Sequence, residues 1–361
     1  MDEICKSCMT RRDVLKGAGR LSAALVASGG IPSVFAGAAE IGSKASVDIN
    51  DKLDRRCLLT VLRMGHCAPS VMDTLLVDRK GNYEDMVRLT SGLPGGIGNT
   101  GAECGGVTSP IMFLGLKQGP EGEGESLLDL VVRGGGYIKR FRETHGTIYC
   151  REIQTPEGGI SPCLRAMCSG RRLTNEVMGT DLDRLKSEIE AGALKSYDRL
   201  LSLFQDRKFH CAHCVLGELG GVIDVNKNLL KGSLGFVGGT VLRGDTCSAL
   251  TAGVLALGSK IGEIEDSYIR VMSMMFKMMT GGDAMGDDVN KFNKAINVGN
   301  KLALWFKDRY GSTRCGDIVK TDFSNIDSVN KYLSSNRIES CREITLAVAE
   351  RVQIIFSDLN V

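Results

Sequence analysis

One pattern of glycines and cysteines is written twice in this chain, which limits it to folds that can be built from two copies of one unit. Gly92, Gly95, Gly96, Gly101, Cys104, Thr108, Leu114, Gly115, Lys117 and Gly119 recur at a constant offset as Gly235, Gly238, Gly239, Gly244, Cys247, Thr251, Leu257, Gly258, Lys260 and Gly262. Upstream, His66-Cys67 is read as recurring in His213-Cys214. Downstream, RFRETHGTIYCREI (140–153) recurs as WFKDRYGSTRCGDI (305–318), which carries Cys150 onto Cys315. The repeat is far longer than a solenoid unit, so it marks two tandem domains rather than an array.

A chain of 361 residues has room for two domains that each bury a core. Aromatics are few (5%) and glycine is abundant (45 residues), which favours close-packed helices over a sheet of aromatic and β-branched residues. The expected fold is all-α, with two internally duplicated helical domains at 40–175 and 176–361. Helices are expected at 51–64, from Cys67, at 83–89, 104–117, 126–143 (interrupted at Gly134-Gly135-Gly136), 181–205, 214–222, 247–260, 264–279 and 341–356. The 264–279 segment carries Met272, Met274, Met275, Met278 and Met279, read as core packing. The glycines of 92–101 form a turn. No lysine follows Gly95-Gly96-x-Gly98, so that run is not a phosphate loop.

Residues 1–39 read as an export signal. Thr10-Arg11-Arg12-Asp13-Val14-Leu15-Lys16 has the twin-arginine pattern, and the following stretch is small and mildly apolar. The expected location is periplasmic or extracytoplasmic, with membrane contact only through export or an uncleaved signal. Cys5 and Cys8 precede the motif and would leave with it. Basic and acidic residues nearly balance, 45 against 43, so no nucleic-acid partner is expected.

The chemistry is expected in the cysteines. Each repeated cysteine follows a glycine turn and precedes a helical pattern. A sulfur placed there meets unpaired N–H groups and the positive end of the helix dipole, which favours thiolate. Cys211-Ala212-His213-Cys214 is a C-x-x-C pair, but the βαβ pattern of thioredoxin-like folds is absent. Val215 follows Cys214, so there is no C-x-x-C-H and covalent c-type haem is not expected.

These residues resemble the redox-active proteins named for their C_GCAxxG_C_C cysteine pattern. In copy one, Cys57, then Gly65-His66-Cys67-Ala68, then Gly101-Ala102-Glu103-Cys104-Gly105-Gly106, then Phe141 through Cys150-Arg151-Glu152, look like its successive motifs. The resemblance implies a redox set of Cys57, Cys67, Cys104 and Cys150, matched in copy two by Cys214, Cys247 and Cys315, with Cys211 as a possible substitute. Copy two departs from the pattern at Phe204, ten residues before Cys214, and at Val215. The family is also similar in part to split-Soret cytochromes, but without an attachment motif haem is not carried over. Cys163, Cys168 and Cys341 have no assigned role.

Two redox mechanisms fit: electron transfer by an iron–sulfur cluster or other metal held on Cys57, Cys67, Cys104 and Cys150, or dithiol/disulfide exchange, including Cys211 and Cys214. Either calls for a redox partner protein. The competing class is a non-catalytic helical subunit of a membrane-associated redox complex, held by structural disulfides.

Overall fold

The computed structural model describes residues 47–48, 50–78, 83–120, 126–154, 159–264, 271–273, 276–277 and 294–361. The export segment with Cys5 and Cys8, and most of the methionine-rich segment, lie outside the described residues. Among those residues the chain is helical throughout, with two isolated β-bridges and no strand. No helix among them is long and apolar enough to cross a membrane.

The first copy begins with α1 (Lys52–Met64). Its first turn is capped by the Asp51 carboxylate, which accepts from the Leu53 and Asp54 N–H groups, and it stops at Gly65 in the left-handed region. Then α2 (Cys67–Leu76) starts, with Pro69 in its first turn, where the missing N–H costs nothing. The chain continues through α3 (Glu84–Leu89) and a 3-10 turn (Thr90–Gly92) to α4 (Gly105–Gln118), α5 (Leu128–His145), α6 (Cys150–Ile153) and α7 (Ser161–Gly179). A short connector, α8 (Leu182–Ser187), leads to the second copy. That copy comprises α9 (Ala191–Asp206), α10 (Cys211–Glu218), α11 (Lys227–Ser233), a 3-10 turn (Leu234–Phe236) and α12 (Ser248–Ile261). It ends with α13 (Lys294–Tyr310), α14 (Cys315–Val319), α15 (Ile326–Leu333) and α16 (Arg337–Leu359).

Several expectations change. The predicted 181–205 helix is two helices, broken at residues 188–190. The predicted interruption at Gly134-Gly135-Gly136 is absent and α5 runs straight through. A Cβ on Gly134 would lie 2.5 Å from Val241, and one on Gly136 would lie 2.9 Å from Leu185, so these glycines admit neighbouring elements rather than break the helix. The helix expected at 214–222 begins three residues earlier, at Cys211.

The two copies share one continuous core. Each lends its short helix to the other's central helix: α11 packs on α4, and α3 packs on α12. The repeated glycines make this exchange possible. A Cβ on Gly115 of α4 would lie 2.6 Å from the Lys231 carbonyl oxygen, and one on Gly258 of α12 would lie 2.4 Å from that of Leu89. Both distances are too short for any side chain, so backbone meets backbone at both crossings.

The glycine turn is left-handed over five consecutive residues in each copy. In copy one φ runs 72, 80, 50, 68 and 58° from Gly95 to Asn99; in copy two it runs 56, 71, 60, 48 and 59° from Gly238 to Leu242. A non-glycine residue there costs about 1–2 kcal/mol. Copy two nonetheless holds Thr240, Val241 and Leu242 in this conformation. Burial of Val241 and Leu242, and the Thr240 hydroxyl bond to Glu103, offset the strain.

His145, at the end of α5, shares a 2.7 Å hydrogen bond with the Ser169 hydroxyl and packs on Phe141. Burial, aided by the charges of Arg165 and Arg172, lowers its pKa from 6.5 to about 4. The unfolded chain therefore binds a proton that the fold refuses. Stability is complete above pH 6.5 and is lost as pH falls toward 4, by up to about 3 kcal/mol from this group. Denaturant titrations should show that decline, and His145→Gln should make it shallower, leaving the share of the other buried histidines, His66, His210 and His213.

Candidate functional site

Backbone hydrogen bonds bring the repeated cysteines together. The Cys104 N–H donates to Ile148 O and the Cys150 N–H to Ala102 O, so a single antiparallel bridge places α4 and α6 with their first residues side by side. Copy two repeats the device: the Cys247 N–H donates to Thr313 O and the Cys315 N–H to Asp245 O. Cys104 and Cys247 stand immediately before α4 and α12, and Cys150 and Cys315 open α6 and α14.

Two more helices complete each pocket. In copy one, Cys67 opens α2 and Cys163 stands in the first turn of α7, and the charges of Cys67, Cys104, Cys150 and Cys163 bear on one another. Cys67 Sγ lies so close to Gly105 that a Cβ there would be 2.5 Å from it. In copy two, Cys211, Cys247, Cys315 and Cys341 line a cavity of about 10 Å³ with Ile318, Val319 and Ile344. A second cavity of about 20 Å³ shares Cys211, Cys315 and Cys341 and reaches Tyr332, whose hydroxyl stands 3.9 Å from Cys341 Sγ. In both pockets two cysteines are buried (Cys104 4%, Cys150 6%; Cys247 7%, Cys315 8%) and two, Cys67 and Cys163 or Cys211 and Cys341, keep some exposure.

All eleven cysteines of the described residues are free. Among these residues no three metal-binding side chains stand in ready-made coordinating geometry.

The helix-start argument for easy thiolate formation is overturned. N–H groups do face the sulfurs: Gly106 donates to Cys104 Sγ at 3.4 Å, and those of Gly95, Ala68 and Gly105 favour the Cys67 thiolate. Burial nonetheless wins everywhere. It pushes Cys163 and Cys247 up to about 12, holds Cys104, Cys150, Cys211 and Cys315 well above the ordinary thiol value, and raises Cys67 and Cys341. Cys67 and Cys341 retain some solvent-accessible surface, but the protein around them still dominates. Arg151 beside Cys150 and Arg165 beside Cys163 pull the other way without offsetting that burial.

Three of the expected copy-one set, Cys67, Cys104 and Cys150, do meet. Cys57 does not join them. It faces Cys168 of α7, and Cys163 takes the fourth place. In copy two the partner of Cys67 is Cys211, not Cys214. His66 and His210 directly precede α2 and α10, and His66-Cys67-Ala68 repeats as His210-Cys211-Ala212. That three-residue match was legible, but the His213-Cys214 pair masked it. Cys214 lies one turn further along α10, under the influence of Arg342 and Glu218, and does not line the cavity. His213 Nε2 donates to the Leu230 carbonyl oxygen, 2.9 Å away, which makes it a tie between α10 and α11. Cys163 and Cys341 were missed because nothing around them repeats. Their only signal is that each lies near the start of its copy's closing helix.

A buried carboxylate joins the two pockets' frames. Glu103, fully buried beside Cys104, accepts from Thr240 Oγ1 (2.8 Å), Thr246 N (3.1 Å) and Thr246 Oγ1 (2.5 Å), all in copy two next to Cys247. In return Asp245 of copy two accepts from Tyr149 of copy one at 2.6 Å and is ion-paired with Arg243 and Arg314. Burial, then the Asp245 charge, raises the Glu103 pKa. Glu103→Ala leaves three donors unpaired and is expected to cost about 2 kcal/mol in denaturant unfolding.

The family model described as "Putative redox-active protein (C_GCAxxG_C_C)" matches residues 65–177 and again 209–355. Each match contains one complete set of four pocket cysteines, and Cys57 precedes the first. No curated protein and no solved structure matches the chain.

Proposed function

This chain belongs to the C_GCAxxG_C_C family of redox-active proteins, and from that premise we propose that each four-cysteine pocket holds a thiolate-bound redox metal centre, an iron–sulfur cluster being the first candidate. One observation carries the reading: four cysteines at or near the starts of four helices line one small pocket in copy two, and their four counterparts in copy one lie close enough to influence one another. Dithiol exchange needs only two sulfurs. It also needs an attacking sulfur and its resolving partner within reach of a macromolecular disulfide, and two of each four are at most 8% exposed. An electron can reach a buried centre where a bulky thiol partner cannot.

The donor set suits such a centre. It offers four thiolates per site, which select zinc, copper(I) or iron–sulfur clusters. When bound, the group supplies a one-electron couple and the positive charge that buried thiolates require. Cys104 and Cys150, fixed by their paired backbone bonds, would hold the group in pocket one together with Cys67 at the start of α2 and Cys163 in the first turn of α7. The Gly106 N–H on Cys104 and those facing Cys67 would tune the potential, and the apolar lining excludes water. Equivalent roles fall to Cys247 and Cys315, and to Cys211 and Cys341. The partner is a protein donor or acceptor of electrons. Export through the twin-arginine motif belongs to the same proposal, because a chain loaded with such a centre must cross the membrane folded.

The test is anaerobic purification with iron, zinc and acid-labile sulfide analysis beside visible absorption. Two metal centres per chain are expected. A chain purified metal-free under those conditions, which takes up neither metal nor sulfide on reconstitution, would sink the proposal.

A further inference from the structure

Beyond the two pockets, copy one carries a cysteine pair that copy two lacks. Cys57 in the middle of α1 and Cys168 in the middle of α7 are both buried, 1% and 3% exposed, on adjacent packed helices. The Cys168 thiol lies within hydrogen-bonding reach of Cys57 and also 3.9 Å from the Asp54 carbonyl, one turn before Cys57, so its sulfur is aimed at that turn of α1. Neither residue lies in the four-sulfur set. In copy two the residue ten before Cys211 is Leu201 and the residue five after Cys341 is Leu346, so no second pair exists.

We infer that Cys57 and Cys168 are a separate covalent redox site, a disulfide that closes between α1 and α7 under oxidising conditions and clamps the helices that lead to the rim of pocket one. The α7 helix carries Cys163 itself, and α1 passes through the Gly65 turn directly into Cys67. The oxidant is a small-molecule disulfide. One cysteine sulfur attacks it, forming a mixed disulfide and releasing one thiol. The second cysteine sulfur then attacks the mixed disulfide and releases the other thiol. Two protein S–H bonds and one oxidant S–S bond are replaced by one protein S–S bond and two S–H bonds, with both protons leaving on the released thiols. The surroundings favour this outcome. The neighbouring Cys57 sulfur, then burial and the Asp54 charge, oppose a standing thiolate at Cys168, whereas dithiol and disulfide are both neutral. Access comes through local opening of α1, which rests mainly on α2 and α7.

The experiment is oxidation of the folded full-length chain in a glutathione redox buffer, followed by alkylation, proteolysis and mass spectrometry. The expected product is a linked peptide pair containing Cys57 and Cys168, reversed by dithiothreitol. The linkage should also raise the denaturant midpoint of the wild type, an effect absent from both Cys57→Ala and Cys168→Ala. If both residues are recovered fully alkylated, or are linked to pocket cysteines instead, the inference is overturned. Because the readout is a peptide linkage and not metal content, it stands or falls independently of the metal centres.

Discussion

Cys104→Ser is expected to remove one of the two metal centres and leave the other in place; Cys247→Ser does the reverse, and the double variant loses both. Each single variant should keep about half of the wild-type iron, sulfide and visible absorption, because a serine hydroxyl cannot take over from a thiolate ligand. The same halving is expected at Cys163 and Cys341, which no repeated motif marks. Cys57→Ser and Cys214→Ser should retain the full content, since neither sulfur is in a pocket. This contrast separates the set drawn from the sequence from the set assembled by the fold. Full content in Cys163→Ser, or loss of a centre in Cys57→Ser, would show that the pocket membership is wrong. Melting curves on each variant distinguish a lost ligand from a lost fold.

The second large effect is on stability. Gly258→Ala places a methyl group 2.4 Å from the Leu89 carbonyl oxygen, and Gly115→Ala places one 2.6 Å from that of Lys231. Neither obstacle is a flexible side-chain tip. Both are backbone carbonyls of the other copy, so relief requires the copies to move apart. Each substitution is expected to cost ~3 kcal/mol in chemical denaturation, at the upper end of overpacking effects. Substituting Gly135 or Gly217, where an added Cβ meets nothing within 4 Å, provides the control. If Gly258→Ala and Gly217→Ala unfold alike, the reciprocal crossing is not what the repeated glycines serve.

Much of this architecture was legible beforehand. The helices expected at 51–64 and from Cys67 both formed, as Lys52–Met64 and Cys67–Leu76, with Asp51 as the cap of the first rather than its first residue. The glycine run at 92–101 was readable as a turn, though not as a left-handed one. In copy two, Thr240, Val241 and Leu242 hold the same shape without glycine's freedom, which only long-range burial permits. Cys57 was grouped with the pocket cysteines because its spacing fits the motif order, whereas on α1 its neighbour is Cys168 of α7.

The repeat by itself determined that there would be two copies, that they would be helical, and which cysteines would open helices, because turns, caps and periodicity act over a few residues. Which sulfurs face each other was decided by tertiary structure alone. Helix direction and the exchange of α3 and α11 between copies set those contacts, and they bring together residues as far apart as Cys67 and Cys163. Tertiary structure also reversed the acid–base expectation, because the few N–H bonds a helix start can offer do not outweigh the loss of water around these thiols.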